Sequence, residues 1–193
     1  MAALTPGVVA RAKPGNSVSG DAWRLLESAG RCLLVMADGL GSGPAAHEAS
    51  ERAVAVVAEQ PERSLLEHLD ACHQRLRGTR GAAVGVLAIS PGDHHISFAG
   101  LGNVEVRTGT GSNFKPVATN GIVGHNYRPP RVYEAEYRPG ELLVMHTDGL
   151  STRFDLDQQL RSPFETEQEL AERLAAEHAR EHDDLAIVVL RLP

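Results

Sequence analysis

The stretch GAAVGVLAIS, residues 81–90, does most to narrow the folds open to this chain. A half-exposed strand alternates apolar and polar residues, whereas here both faces are apolar, so the stretch reads as a central strand. The segments around it indicate what could cover it. Residues 5–37 read as strands interrupted by KPGNSVSG, a Pro/Gly/Asn/Ser turn cluster. From Pro44 to Gln60 the period lengthens: Ala46, Ala49, Ala53, Val54 and Val57 share one helical face, and His47, Glu48, Glu51 and Arg52 share another. Pro61 ends that helix. A second follows, with Leu65, Leu69, Cys72 and Leu76 as its apolar stripe. Then β-type sequence dominates for about seventy residues, with HISFAG, NVEVRTG, RVYEAEY and ELLVMHT separated by Gly, Asn and Pro turns. Residues 166–181 predict a charged amphipathic helix around Leu170 and Leu174, and DDLAIVVLRL predicts a closing strand. Two helices after early strands, a long meander, then helix and strand predict two sheets with helices outside.

The chain of 193 residues is long enough for one domain with a sizeable core, and 42% hydrophobic residues suit an ordered globular protein. A formal net charge of −6 disfavours non-specific binding to nucleic acid or to an anionic membrane. It fits a carboxylate-rich site that needs cations. Cys32 and Cys72 lack CxxC spacing, which argues against a disulfide framework or a thiolate zinc site. No apolar run approaches the roughly 20 residues of a membrane span. The opening MAALTPGVVARAK has too short an apolar stretch for a signal peptide. A cytoplasmic protein is expected.

The chemistry concentrates at turns beside apolar strands. Asp21 stands in SGDAW, Asp38 in ADGLGSG, Asp148 in HTDGL, and Asp183 and Asp184 in EHDDLAIVV. Any one of them could be a turn or capping residue. Together they describe strand ends that can converge on one cleft. Clustered carboxylates repel unless cations lie between them, and all-oxygen ligands suit Mg²⁺ or Mn²⁺ rather than zinc. The glycine turn after Asp38 would then approach a phosphate through metal ions rather than through bare N–H groups. A glycine after a ligand aspartate is expected to take φ > 0 and turn its carbonyl to the same metal.

The stretches SGDAW, MADGLGSGPAAHEAS, RGAAVGVL, GNVEV, HTDGL and DDLAIVVL resemble the metal-dependent Ser/Thr protein phosphatases of the PPM superfamily, in the bacterial SpoIIE-like branch. They occur in family order over almost the whole chain. The resemblance implies one α+β domain over residues 1–193, an αββα four-layer sandwich with two antiparallel sheets flanked by helices. It implies two Mn²⁺ or Mg²⁺ ions: Asp38 bridging both, Asp21 and the Gly39 carbonyl completing one, Asp148 and Asp183 holding the other. Asp38 and Asp148 would position the metal-bound water that attacks phosphorus. The implied substrates are phosphorylated stressosome proteins of the antagonist type, met by a monomer in bacterial stress signalling. Another SpoIIE-like role, on a different anti-sigma antagonist, is the alternative. Family members elsewhere carry a histidine after the Asp-Gly pair, where this chain has Leu40. They also carry a phosphate-binding arginine before the first carboxylate, for which Arg11 is the nearest candidate. GLGNVEV offers no aspartate where some relatives bind a third metal ion.

Competing readings fit less well. The turn is G-x-G-x-G-P and leads to a helix followed by another helix, so the βαβ unit of a dinucleotide site is missing. Neither cysteine has an arginine six places on, DLDQQ lacks the hydroxyl residue of an aspartyl-nucleophile motif, and GNVEV lacks the histidine of calcineurin-like enzymes. HEASE begins like HExxH, but position 51 is Glu. His94 and His95 read as a hairpin turn, His146 as a packing or supporting residue beside Asp148, and Trp23 as core. A non-catalytic docking module of the same fold is the rival from another class, and the complete set of carboxylates argues against it.

Overall fold

A computed structural model describes residues 4–109 and 111–193. In chain order its strands are β1 (Gly7–Arg11), β2 (Asp21–Ser28), β3 (Arg31–Gly39), β4 (Ala82–Ser90), β5 (His95–Leu101), β6 (Glu105–Thr108), β7 (Tyr133–Glu136), β8 (Leu142–His146) and β9 (Leu185–Arg191). The helices are α1 (Pro44–Glu59), α2 (Leu65–Arg75), α3 (Leu156–Arg161) and α4 (Glu167–His178). One sheet has the order β2-β3-β4-β5-β7 and the other β1-β9-β8-β6, and the strand pairs within both are antiparallel.

The doubly apolar strands explain the layering. In β3, Leu33, Val35 and Ala37 pack outward with Val57, Leu69 and Cys72 of α1 and α2. Cys32, Leu34 and Met36 point the other way, into a core shared with Leu143, Met145, Ala186 and Val188 of the second sheet. β4 divides in the same manner, Val84 and Val86 outward and Leu87 and Ile89 inward. On the far side, Val144, Ile187 and Val189 pack with Leu170 and Leu174 of α4 and with Phe154 and Leu156. The result is the expected αββα sandwich.

Three expectations need adjustment. The β-type stretch is interrupted: among the described residues of 109–132, the pairing is limited to the isolated bridges Leu101↔Thr119 and Ala82↔Val123. The short α3 lies within a stretch that no periodicity marked. It is started by Asp155, whose side chain accepts from the N–H groups of Asp157 and Gln158. The closing helix stops at His178, because Ala179 is already extended. Among the described residues, no helix is long and apolar enough to cross a membrane.

Candidate metal centre

Strand parity delivers the carboxylates. Trp23 and Leu25 of β2 and Leu34 and Met36 of β3 face the core between the sheets. Asp21 and Asp38 continue those two series by steps of two and oppose each other in the β2–β3 register. They therefore emerge together at one end of the inter-sheet space. On the other sheet, Asp148 lies two residues past β8 and Asp184 immediately precedes β9. The two sheets meet here through hydrogen bonds. Thr147 Oγ1 donates to Asp21 Oδ2 at 2.6 Å and accepts from the Ala186 N–H at 3.0 Å. Asn103 Nδ2 donates to Asp38 Oδ2 at 3.1 Å and to Asp148 Oδ2 at 2.7 Å. A cleft of about 190 Å³ opens between them, lined by Asp38, Leu40, Gly41, Ala83, Asn103, Asp148 and Asp183.

The glycines after Asp38 and Asp148 correct one expectation. Neither Gly39 nor Gly149 has a positive φ. What each position lacks is room. A Cβ on Gly39 would stand 2.0 Å from the Ala46 carbonyl oxygen in the first turn of α1, and one on Gly149 would stand 1.9 Å from the Asp184 carbonyl oxygen. The Asp-Gly pairs thus let α1 and the Asp183–Asp184 segment close directly behind the carboxylates.

Burial and crowding dominate the electrostatics. The Asp21 carboxyl is pushed well above the usual range, first by burial and then by Asp38, against the lowering hydrogen bond from Thr147. Asp38 is raised by burial and then by Asp148, with Asn103 opposing. Asp183 is raised by burial and then by Asp148. Asp184 is buried: Oδ1 accepts the Lys13 N–H at 2.9 Å, while Oδ2 has no hydrogen-bond partner.

As the side chains stand, no three His, Cys, Asp or Glu groups among the described residues form a closed metal-holding set. The Asn103 amide occupies the place between Asp38 and Asp148 instead. The donor set nevertheless fits divalent cations. Oxygen ligands from both sheets surround the cleft, their charged forms repel one another, and a buried carboxylate oxygen of Asp184 is unpartnered.

Arg11 is turned to another use. Its Nη2 donates to the Arg180 carbonyl at 2.7 Å and its Nη1 to the Asp183 carbonyl at 3.2 Å, so it braces the turn that carries Asp183. His146 is buried with its Nδ1 2.8 Å from the Thr147 carbonyl and its ring edge-on to Phe154, which is the packing role expected of it. Trp23 packs partly buried against the inter-sheet core. Asn103 and Thr147 went unnoticed in the sequence. The parity of β8 could have found Thr147, since 143, 145 and 147 share a face.

Comparisons with known proteins agree on one family. Residues 28–193 match the family model described as stage II sporulation protein E (SpoIIE). The chain is 26% identical over 182 residues to phosphoserine phosphatase RsbX of Bacillus subtilis (strain 168), covering 93% of this chain and 90% of that one. It superposes with a TM-score of 0.91 and 30% identity on a chain solved in work on the bacterial stressosome as a modular system controlling secondary messenger signaling, covering 98% of this chain and 100% of that one. RsbX in complex with magnesium superposes with a TM-score of 0.88 at 24% identity, covering 98% and 96%.

Proposed function

The chain belongs to the SpoIIE family, and on that premise we propose that it is a metal-dependent protein serine/threonine phosphatase acting on phosphorylated proteins of the stressosome type. The observation that carries the reading is the meeting of carboxylates from both sheets: Asp38, Asp148 and Asp183 line one cleft, and Asp21 and Asp184 are near enough to raise the pKa of the group. Mn²⁺ or Mg²⁺, two ions in this reading, would be held there by Asp21, Asp38, the Gly39 carbonyl, Asp148 and Asp183. The relatives support the substrate class, since RsbX is a phosphoserine phosphatase and a solved chain with a TM-score of 0.91 comes from stressosome work.

When bound, such ions supply Lewis acidity that makes water a nucleophile near neutral pH and offsets charge on the phosphoryl oxygens. The chain's own residues aim that chemistry. Thr147 holds one Asp21 oxygen and leaves the other free, and Asn103 holds Asp38 and Asp148 at a fixed separation. Leu40 stands exposed at the rim, where it offers no proton to a leaving group. A groove of about 460 Å³ along β6 shares Asn103 with the cleft, which gives a folded protein substrate a surface beside the reacting centre. The protein acts as a cytoplasmic monomer in this reading.

The test is hydrolysis of a chromogenic aryl phosphate and of a panel of phosphorylated stressosome-type proteins, with Mn²⁺ and with EDTA. Turnover that depends on the metal and prefers the phosphoprotein is expected. Metal-independent turnover, or none on any substrate with Mn²⁺ present, overturns the reading.

A further inference from the structure

A phosphate ester entering the cleft brings negative charge to a wall of carboxylates. Cations held by Asp38 and Asp148 would offset charge on the deep side, and the outer phosphoryl oxygens would then face the rim. On the glycine-turn side that rim is Leu40 and Gly41, and a guanidinium lies against it. Arg80 Nη1 sits 2.7 Å, and its Cζ 3.9 Å, from where a Cβ on Gly41 would stand. Gly41, at φ 91°, supplies both the turn and the space.

The backbone beneath Arg80 is fixed. Thr79 Oγ1 donates to the Leu76 carbonyl at 2.7 Å and accepts the Gly81 N–H at 3.0 Å, and the Gly81 carbonyl accepts the Leu40 N–H at 3.0 Å. Residues 79–81 are thereby bonded to the same turn that shapes the cleft. The side chain itself is exposed and, among the described residues, has no hydrogen bond or ion pair. Of the other cations near the site, Arg11 donates to the carbonyls of Arg180 and Asp183, Arg107 pairs with Glu105 at 2.7 Å, and Lys115 donates to the carbonyls of Thr108 and Gly109, while Arg180 lies close enough to Asp183 to lower its pKa.

We propose that Arg80 is the phosphate-binding residue of this site, its guanidinium fork taking non-bridging oxygens of the substrate's phosphoryl group at the rim. The fork geometry matches phosphate oxygens in pairs, and its planarity limits the freedom lost per hydrogen bond formed. The proposal rests on the phosphatase reading above, and it moves substrate binding from the N-terminal strand to the loop before β4.

The experiment compares wild type, Arg80→Ala and Arg80→Lys, each loaded with Mg²⁺. It reads the Mg²⁺-induced melting shift, inhibition by inorganic phosphate, the further melting shift given by phosphate, and kcat/KM for an aryl phosphate. Arg80→Ala is expected to keep the Mg²⁺ shift, lose at least about tenfold in kcat/KM, and weaken phosphate inhibition by a similar factor, with Arg80→Lys recovering part of both. Wild-type phosphate inhibition and KM in Arg80→Ala overturn the proposal, as does loss of its Mg²⁺ shift, which would make Arg80 a support of the turn. If wild type hydrolyses nothing, the phosphatase reading fails instead. The phosphate-induced melting shift, present in wild type and absent from Arg80→Ala, then still decides whether Arg80 binds phosphate.

Discussion

Asn103 donates through one nitrogen to Asp38 and Asp148, a neutral group set where two carboxylates would otherwise face each other. Its replacement by aspartate puts a third charge into that contact, and a close like-charge pair costs about 1–4 kcal/mol at the dielectrics found near protein surfaces and in water. Asn103→Asp is therefore expected to melt below wild type in EDTA and to gain more from Mn²⁺, read as paired melting curves. Asp38→Asn reverses the sign. It relieves repulsion from Asp148, Asp183 and Asp184, so it should melt at or above wild type in EDTA, gain little from Mn²⁺, and lose most of its phosphatase rate. A full Mn²⁺ shift or near-wild-type turnover in this variant would reduce Asp38 to a turn residue. Asp38 could be read from the sequence because an Asp-Gly pair closes an apolar strand. Asn103 could not, since a lone Asn in a Gly-Asn turn has the same local pattern whether or not it spans two carboxylates from different sheets.

Among the elements, α2 is held by a capping box, in which the Ser64 side chain accepts the Glu67 N–H and Glu67 reaches back to the Ser64 N–H. It also buries His68, whose pKa is pushed down to about 4 by burial first, then by Arg31 and Arg63, against the Pro61 carbonyl and Glu67. An unfolded histidine binds its proton near pH 6.5. Between pH 6.5 and about 4 the unfolded chain thus takes up a proton that the folded chain refuses, so stability is full above that window and falls as pH drops through it. Denaturant melts across the window should show His68→Leu losing less than wild type, by on the order of 2 kcal/mol. An unchanged slope would mean that His68 is protonated in the folded state. The long helices were legible because their apolar stripes repeat over several turns. The six-residue α3 was not, because its start depends on one Asp155 cap and its packing on contacts to distant chain. The reason for glycine at positions 39 and 149 was equally hidden, since it lies in how closely α1 and the Asp183–Asp184 segment approach.

At the scale of the molecule, the site is where the two sheets are tied at one end. Thr147 is the protein's own tie, bonding Asp21 across the inter-sheet space while it receives the Ala186 N–H. Thr147→Val keeps the shape and removes both bonds, which should cost about 1–3 kcal/mol in a urea melt. It should also weaken Mn²⁺ in a titration, because Asp21 is no longer aimed; unchanged Mn²⁺ affinity would make Thr147 a purely structural tie. The chain weaves between the sheets, and β1 pairs with β9, with Arg11 bonding to Asp183 across 172 residues. Domains ruled by such distant pairings fold in about milliseconds to seconds, because the loop must close before the contacts reward it. Asp21 and Asp38 come together in an early hairpin, whereas Asp183 and Asp184 arrive with the strand that completes the second sheet. A nascent chain therefore carries half of the proposed metal centre until that strand docks. The appearance of phosphatase activity during refolding should coincide with the last step of assembly rather than precede it.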